Sequence, residues 1–271
     1  MSPSAVQPSL FVPHGAPTAA LRPGAAGAAL SRAAAGLTRP RAVVIASAHW
    51  DTPEPTVGLA DRPATIHDYW GFPRELYGID YPATGCREAA GEVLEQLRAA
   101  GFAAAGDSQR GLDHGAWIPL RQMFPEADVP VIPLSLQYAR GPAHHLAVGQ
   151  ALAPLAARGF LIVGSGNLTH NLRDYQLAAG KGAPAFDYVR AFADWIWQRL
   201  QAGDTEALLD YRRLAPGAVR AHPSDEHLLP LYLALGAAGV GARAERLHAG
   251  IDEYVIAMDA FAFHPRIDSR S

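Results

Sequence analysis

Cysteine is nearly absent from this 271-residue sequence, which contains only Cys86. A single cysteine excludes an internal disulfide, and it excludes a zinc site built from cysteine thiolates. Neither positive nor negative charge is in large excess, because the formal net charge is only -3. No basic surface for nucleic acid and no polybasic membrane patch are therefore expected.

Long hydrophobic runs are missing as well. The longest apolar stretch covers about residues 146–163, and Pro154 and Arg158 interrupt it too strongly for a membrane-spanning helix. Residues 1–8 have neither a basic segment nor an apolar one, so no signal peptide is expected. Hydrophobic residues still make up 49% of the chain, which is enough to bury a sizeable core. We therefore expect a cytoplasmic protein without a membrane partner.

Short apolar runs alternate with helical patterns along the chain. The predicted strands are residues 9–13, 41–48, 129–136, 160–164, 243–248 and 254–261. The predicted helices are residues 24–36, 87–100, 144–157, 183–201 and 226–235. Continuous hydrophobicity is typical of strands that are buried on both faces. We predict a single α/β domain over residues 1–271, with a central mostly parallel or mixed sheet flanked by helices and the active site at the carboxyl ends of the strands.

Two segments depart from this simple alternation. Prolines interrupt residues 129–136, which favours an edge or irregular strand. Residues 51–82 combine several prolines with many aromatic side chains, and we interpret them as a long ordered loop. Such loops are often functional, so His67 in this loop could line a pocket.

Three histidines follow predicted strands. His14 comes directly after the first strand, His49 directly after the second, and His170 six residues after the fourth. Ligands of open α/β sheets bind beyond the carboxyl ends of the strands. Neutral imidazole is the commonest ligand for zinc, iron and copper, so these histidines predict a metal site.

Two further segments offer additional site residues. Glu226 and His227 are adjacent on a predicted helix, where their side chains point about 100° apart. One of them should then be a ligand, and the sequence pattern alone does not choose between them. His114 follows Asp113, which either orients an imidazole or caps the next helix. No Walker-type loop, His-Glu-x-x-His motif or Gly-x-Ser-x-Gly elbow occurs.

Six segments in sequence order resemble one enzyme family. They are Pro-His-Gly-Ala-Pro at 13–17, Ser-Ala-His-Trp at 47–50, Ile-His-Asp-Tyr-Trp-Gly-Phe-Pro at 66–73, Gly-Leu-Asp-His-Gly at 111–115, Gly-Asn-Leu-Thr-His-Asn at 166–171 and Glu-His-Leu-Leu-Pro-Leu at 226–231. Together they resemble the LigB-type (class III) extradiol ring-cleavage dioxygenases, in particular the DOPA 4,5-dioxygenase-like branch. The resemblance extends from about residue 10 to residue 260.

The resemblance implies a mononuclear non-haem metal, Fe(II) in active enzymes and sometimes Zn(II) in isolated ones. It implies that His14, His49 and His227 are the metal ligands, with His227 in place of the carboxylate that the wider class uses. His170 would be the acid/base histidine and lie close enough to the metal to act as a fourth ligand. His114 would line the substrate side of the pocket.

The predicted function is cleavage of a catechol, a DOPA-like aromatic diol, with O₂. A zinc-dependent hydrolase that uses the same histidines is one alternative. A non-catalytic, Memo-like binding protein on the same fold is another, although the retention of His114 and His170 argues against it. Arg110, Arg173 and Arg220 are candidates for binding a substrate carboxylate.

Overall fold

An eight-stranded mixed sheet forms the centre of the protein. The structure, a computed structural model, describes residues 6–178 and 185–266. The strands of the main sheet are β1 (Ser9–Pro13), β2 (Ala42–Asp51), β3 (Thr56–Gly58), β4 (Ala105–Asp107), β5 (Val131–Leu136), β6 (Phe160–Gly166), β7 (Arg243–His248) and β10 (Ala260–His264). A separate hairpin consists of β8 (Ile251–Asp252) and β9 (Ile256–Ala257).

The order of strands in the main sheet is β4-β3-β5-β2-β6-β1-β10-β7. Its central strands β5, β2, β6 and β1 are parallel, whereas β10 and β7 pair antiparallel. The helices are α1 (Gly24–Ala35), α2 (Arg87–Ala99), α3 (His114–Met123), α4 (Gly141–Leu152), α5 (Leu172–Ala178), α6 (Asp187–Ala202), α7 (Thr205–Leu209), α8 (Tyr211–Leu214), α9 (Ala218–Ala221) and α10 (Leu229–Ala237). The predicted α/β class with a mixed sheet and flanking helices is confirmed.

Strand β2 shows how the sheet is covered on both faces. Successive side chains of a strand point to opposite faces. Val43 and Ile45 belong to a core cluster that includes Trp117 of α3. Val44 belongs to another cluster, which contains residues of α2, α4 and α10. The continuous hydrophobicity of this strand thus reflects burial on both sides.

The proline-containing strand β5 is not at an edge, because it lies between β3 and β2. It pairs with β2 over several residues but meets β3 only at Leu134, opposite Val57. Pro133 has no N–H to donate to a ladder. The edge alternative is therefore wrong, and the irregular alternative agrees with the pairing on both sides, because β5 meets β3 at one pair and its register with β2 shifts between Ala46 and Asp51.

Several element boundaries differ from the prediction. The predicted strand 254–261 is interrupted, because Glu253 and Tyr254, with φ values of 49° and 66°, belong to the turn between β8 and β9, and residues 258–259 separate β9 from β10. Helix α4 gives way to a 3-10 segment, Ala153–Arg158, at Pro154. Helix α10 begins at Leu229, with Pro230 in its first turn. The predicted helix 183–201 begins at Asp187, and residues 183–184 lie outside the described residues.

The carboxyl ends of β2, β6 and β1 lie side by side at one edge of the sheet. The N–H of His14, directly after β1, donates to the carbonyl oxygen of Gly166 at the end of β6. His49 lies within β2, where the register with β5 shifts between Ala46 and Asp51. Such bulges often re-aim a side chain next to a site. Among the residues described, no helix combines the length and apolar character needed to cross a bilayer.

Candidate active site

One cavity at the carboxyl edge of the sheet contains the five histidines that were predicted as metal ligands or catalytic residues. Its volume is about 330 Å³, at the lower end of the range for small-molecule sites. Its histidines are His14, His49, His114, His170 and His227. Residues that are more than 200 positions apart in the chain therefore lie in one small volume.

His14, His49 and His227 form a nearly equilateral triangle. Their ring centroids are 5.0 Å (His14 to His49), 5.2 Å (His14 to His227) and 4.9 Å (His49 to His227) apart. The Nε2 atoms of His14 and His49 are 3.2 Å apart. The other two rings lie beside this triangle. The ring centroid of His114 is 4.1 Å from that of His49, and the ring of His170 stacks on that of His227 with 3.5 Å between their centroids. This arrangement can hold a metal ion.

Hydrogen bonds decide which nitrogen of His14 is free. The hydroxyl of Ser165 donates to the carbonyl oxygen of Gly115. Its oxygen can then accept from Nδ1–H of His14, which lies 3.1 Å away. Nε2 of His14 is left unprotonated on the side of His49. A second ring nitrogen that is fixed by a hydrogen bond in this way is typical of metal-ligating histidines.

His227 is held in a similar way. Nδ1 of His227 lies 3.1 Å from Oε1 of Glu226, while its Nε2 is buried without a hydrogen-bond partner. Glu226 and His227 precede α10 in a turn, so the predicted helical position of both residues is wrong. His227 lines the cavity, whereas Glu226 lies behind it, with Oε1 4.0 Å from Nδ1 of His170.

Burial keeps these histidines neutral. Burial, followed by the positive charge of neighbouring histidines, lowers the pKa of His14 and of His227 well below the ordinary value. The same causes lower the pKa of His49 to about 3 and that of His170 to about 4. At neutral pH the ring nitrogens therefore carry free lone pairs, the form that binds metals and accepts protons.

Asp68 is a site residue that the sequence reasoning missed. One carboxylate oxygen accepts from the backbone N–H of His114 at 2.8 Å, and the other accepts from Nδ1–H of His114 at 2.9 Å. Burial favours a higher pKa for Asp68, but the hydrogen bonds and charge of His114 outweigh it and lower this pKa to about 2. Asp68 therefore stays ionised and fixes the orientation of the His114 ring.

The neighbouring residue His67 does not line the cavity. Its Nε2 donates to the carbonyl oxygen of Ile79, and its ring packs among Tyr69, Tyr77 and Trp117. The prediction that His67 could line the pocket is wrong, because the loop turns Asp68 rather than His67 towards the histidines. A loop has no periodicity from which that alternation could be read.

Asp113 caps helix α3 and does not orient an imidazole. Its side chain accepts from the backbone N–H of Ala116 at 3.1 Å and from the hydroxyl of Ser47, and it pairs with Arg110. The next turn of α3 lies directly against the histidines. A Cβ atom at Gly115 would be 2.4 Å from Oγ of Ser47 and 2.8 Å from a ring carbon of His49, so only glycine fits there.

The wall of the cavity is largely aromatic and aliphatic. The loop 51–82, predicted to be functional, contributes Tyr69, Trp70 and Phe72. Helix α5 and the β8–β9 hairpin contribute Leu172, Tyr175, Val255 and Ile256, and the segment after β1 contributes Ala16 and Pro17. This cavity is not lined by the three arginines that were predicted to bind a substrate carboxylate, Arg110, Arg173 and Arg220.

Comparisons with known proteins identify the family of this chain. The family described as the catalytic LigB subunit of aromatic ring-opening dioxygenase matches residues 25–258. The 4,5-DOPA dioxygenase extradiol of Beta vulgaris is 38% identical over 262 residues, which is 95% of this chain and 97% of that protein. The protein of the same name from Escherichia coli K12 is 36% identical and covers 85% of this chain and 84% of its own.

A solved structure shares the fold. The crystal structure of uncharacterized protein JW3007 from Escherichia coli K12 superposes with a TM-score of 0.77 and 27% identity. It covers 94% of this chain and 99% of its own chain. The family match over most of the chain, the full-length relatives and the histidine cavity agree with one another. The chain therefore belongs to the LigB family of aromatic ring-opening dioxygenases.

Proposed function

We propose that the protein is an Fe(II)-dependent extradiol dioxygenase that opens the ring of a catechol with O₂. The relatives named for DOPA make DOPA the first catechol to test. The observation that carries the metal assignment is the triangle of His14, His49 and His227, in which Nε2 of His227 is buried without a partner. An orphaned buried acceptor is costly, and a bound metal ion relieves that cost.

These three histidines would hold the metal, since their rings lie next to one another in the cavity and burial keeps all three neutral. Imidazole is a suitable ligand for both Fe(II) and Zn(II). Zn(II) would therefore bind to the same three histidines, and the zinc-loaded enzyme would be inactive. When bound, Fe(II) supplies a Lewis acid for the catechol hydroxyls and a redox centre for O₂. In this proposal Glu226 serves as the acceptor that fixes Nδ1 of His227, and His227 is the third ligand, although the carboxylate of Glu226 also lies within 4.8 Å of ligand atoms of His170 and His227.

His170 is the proposed general base and later general acid. It lines the cavity, and burial lowers its pKa to about 4, so its ring is neutral and accepts a catechol proton at neutral pH. The same proton is then available for return to an oxygen of the opening ring. The contact with Glu226, 4.0 Å away, compensates the charge that His170 gains on protonation.

His114 is the proposed hydrogen-bond partner for substrate oxygen. Its Nδ1–H is committed to Asp68, so Nε2 is the nitrogen that faces a ligand in the cavity. The aromatic wall formed by Tyr69, Trp70 and Phe72 displaces water from the ring being cleaved. The overall reaction adds both atoms of O₂ and breaks the ring bond beside the diol, which gives a yellow semialdehyde.

The test is anaerobic loading with Fe(II), followed by addition of air and a panel of catechols that includes DOPA. We expect a yellow product with one O₂ consumed per ring opened. The variant His14→Ala is expected to lose the metal, since even outer partners of metal ligands affect affinity by about 10–100-fold. The control His264→Ala changes a histidine paired with Glu245 outside the cavity and should keep the metal.

The alternatives lead to different results in the same assay. A zinc-dependent hydrolase would cleave esters or amides without consuming O₂, and a binding protein would turn over no substrate. Membership of the dioxygenase family does not favour either one. Unchanged metal content in His14→Ala would refute the ligand assignment, whereas colourless, O₂-independent turnover would refute the reaction.

A further inference from the structure

The side chain directly before His170 in the sequence is bound to the β8–β9 hairpin. Thr169 is fully buried. Its hydroxyl donates to the carbonyl oxygen of Val255 at 2.6 Å, and the same oxygen accepts from the N–H of Ala257 at 2.8 Å. The N–H of Leu168 also donates to the carbonyl oxygen of Ala257, at 3.2 Å. Hydrogen bonds from two successive residues therefore join the loop of His170 to this hairpin.

The hairpin is also a buried part of the cavity wall. Val255 and Ile256 line the cavity and are 0% and 6% exposed, whereas Trp70 at the rim is 85% exposed. The two hydrogen bonds of Thr169 are made to the residues on either side of Ile256 in the sequence. A ring substituent that contacts Ile256 therefore meets the part of the backbone that Thr169 holds.

The hairpin depends on its neighbours for its position. Each of its strands has only two residues, which is too short for a stable isolated hairpin. Glu253 and Tyr254 in its turn have φ values of 49° and 66°, a region that is strained for residues other than glycine. Such backbone persists where surrounding contacts determine it. Thr169 supplies two of these contacts through one hydroxyl.

The loop of His170 has a second attachment on its other side. The N–H of His170 donates to the carbonyl oxygen of Ala221 at 2.9 Å, and the side-chain nitrogen of Asn171 donates to that of Arg220 at 2.6 Å. Ala221 and Arg220 belong to α9, and none of the described residues that line the cavity belongs to that helix. Of the two attachments, the hairpin is therefore the one that a substrate contacts.

We propose that Thr169 is a positioning residue, which ties the proton-transfer group His170 to the wall that contacts the ring substituent. This inference rests on the proposed function. Contact between the substituent and Ile256 holds the hairpin in place, and Thr169 passes that constraint on to the loop of His170. Binding energy from a part of the substrate that does not react is then used to align the reacting groups, so it raises kcat.

The variant Thr169→Val keeps the shape of the side chain and removes both hydrogen bonds. With the Fe(II)-loaded protein and DOPA, we expect kcat to fall by about 10–100-fold, the cost of a misplacement of about 1 Å. KM and iron content should stay close to the wild-type values. Thr169→Ser restores the hydroxyl and should recover most of the lost kcat. An unchanged kcat, a loss of iron, or a serine variant no better than the valine variant would overturn the inference.

Ser9→Ala is the matched control for the loss of a buried hydroxyl. Ser9 is buried at the start of β1, the end of the strand that is remote from His14, and its hydroxyl donates to the carbonyl oxygen of Ala234 at 2.6 Å. We expect this variant to lower the melting temperature, as Thr169→Val does, and to leave kcat unchanged. An equal loss of kcat in both variants would assign the effect to stability, and the inference would be wrong.

A series of substrates tests whether the hairpin transmits the contact. In the wild type, kcat should rise from catechol through 4-methylcatechol to 4-propylcatechol, as the substituent reaches Ile256. In Thr169→Val, KM should still depend on the substituent, whereas kcat should not. A dependence of kcat on the substituent that is the same in both proteins, or absent from both, would contradict the proposed coupling.

Amide hydrogen exchange gives a result that does not depend on activity. In Thr169→Val the amide of Ala257 loses its acceptor and should exchange faster, and the amide of His170 should exchange faster as well. Faster exchange confined to the hairpin would show that the hairpin and the loop are independent, which would overturn the inference. If the wild type opens no catechol ring, the proposed function fails, and the exchange rates separately decide whether the coupling exists.

Discussion

The floor and the rim of the cavity differ in how their side chains are held. The floor is formed by the five histidines, and the rim is formed by Trp70 and Leu172 with their apolar neighbours. On the floor, His14 and His227 are 1% and 3% exposed, and each has one ring nitrogen beside a side-chain partner, Ser165 for His14 and Glu226 for His227. At the rim, Trp70 is 85% exposed and lies in an irregular loop. The floor is therefore set before a ligand arrives, whereas the rim can adjust to one.

This difference separates chemistry from selection. Groups that act on a reacting bond need fixed geometry, which buried strands and hydrogen bonds provide. Groups that choose among substituents need contact area more than fixed geometry. Changes on the floor should accordingly affect kcat or metal content, and changes at the rim should affect KM.

The largest effect is expected from His170→Ala. Loss of the proposed proton-transfer group should lower kcat by about 10²–10⁴-fold, the usual contribution of general acid–base catalysis. Steady-state kinetics and metal analysis of the Fe(II)-loaded variant measure the two quantities separately. Metal content should stay at the wild-type level. A variant that loses its metal together with its activity would show that His170 acts as a ligand.

Gly115→Ala tests whether the floor depends on the close approach of α3. The new Cβ would lie 2.4 Å from Oγ of Ser47, and overpacking of this kind costs about 1–3 kcal/mol of unfolding free energy. We expect a lower melting temperature and a lower metal content. The control Gly91→Ala lies in α2 where a Cβ meets open space, and it should be neutral or stabilising by about 0.5–1 kcal/mol. Equal stabilities of the two variants would contradict the close packing.

Asp68→Asn tests the carboxylate that orients His114. The amide keeps the shape of the side chain but loses the charge and one acceptor, so kcat should fall by about tenfold with KM little changed. The control Asp61→Asn removes an exposed carboxylate that is paired with Arg87, and it should have no effect on kcat. A rise in KM at unchanged kcat would place Asp68 in substrate binding instead.

Trp70→Ala has the smallest expected effect and sharpens the role of the rim. The variant loses about 1 kcal/mol of apolar contact with the substituent, so KM for an alkyl catechol should rise by up to about tenfold while kcat stays the same. Val240→Ala serves as the exposed control. A fall in kcat without a change in KM would show that the rim also controls the chemical step.

The sequence was sufficient for the elements that the hydrophobic pattern marks strongly. Strand β1 and helix α2 agree with the prediction to within one residue, because a continuous apolar run marks the strand and Gly101 ends the helical pattern. The pattern did not predict β3 and β4, which are only three residues long. Nor did it predict α3, whose Pro119 interrupts the helical pattern although the helix continues through it.

For the site, the sequence pointed to the histidines and not to the groups that hold them. His14, His49 and His170 were found because they follow strands of one sheet. Asp68 comes from a loop without periodicity. Ser165 lies inside a buried strand, where the sequence does not distinguish a hydrogen-bonding serine from an ordinary small core residue. Their function depends on which atoms meet across long sequence separations, and a local pattern does not contain that information.

The position of β1 determines when the site can be completed during synthesis. This strand leaves the ribosome before the other strands of the sheet, yet it lies between β6 and β10, and Ser9 pairs with Phe263. The three proposed metal ligands likewise join positions 14 and 49 to position 227. A nascent chain therefore carries separate histidines until its last third has been translated, and capture of the metal is expected to be one of the final events of folding.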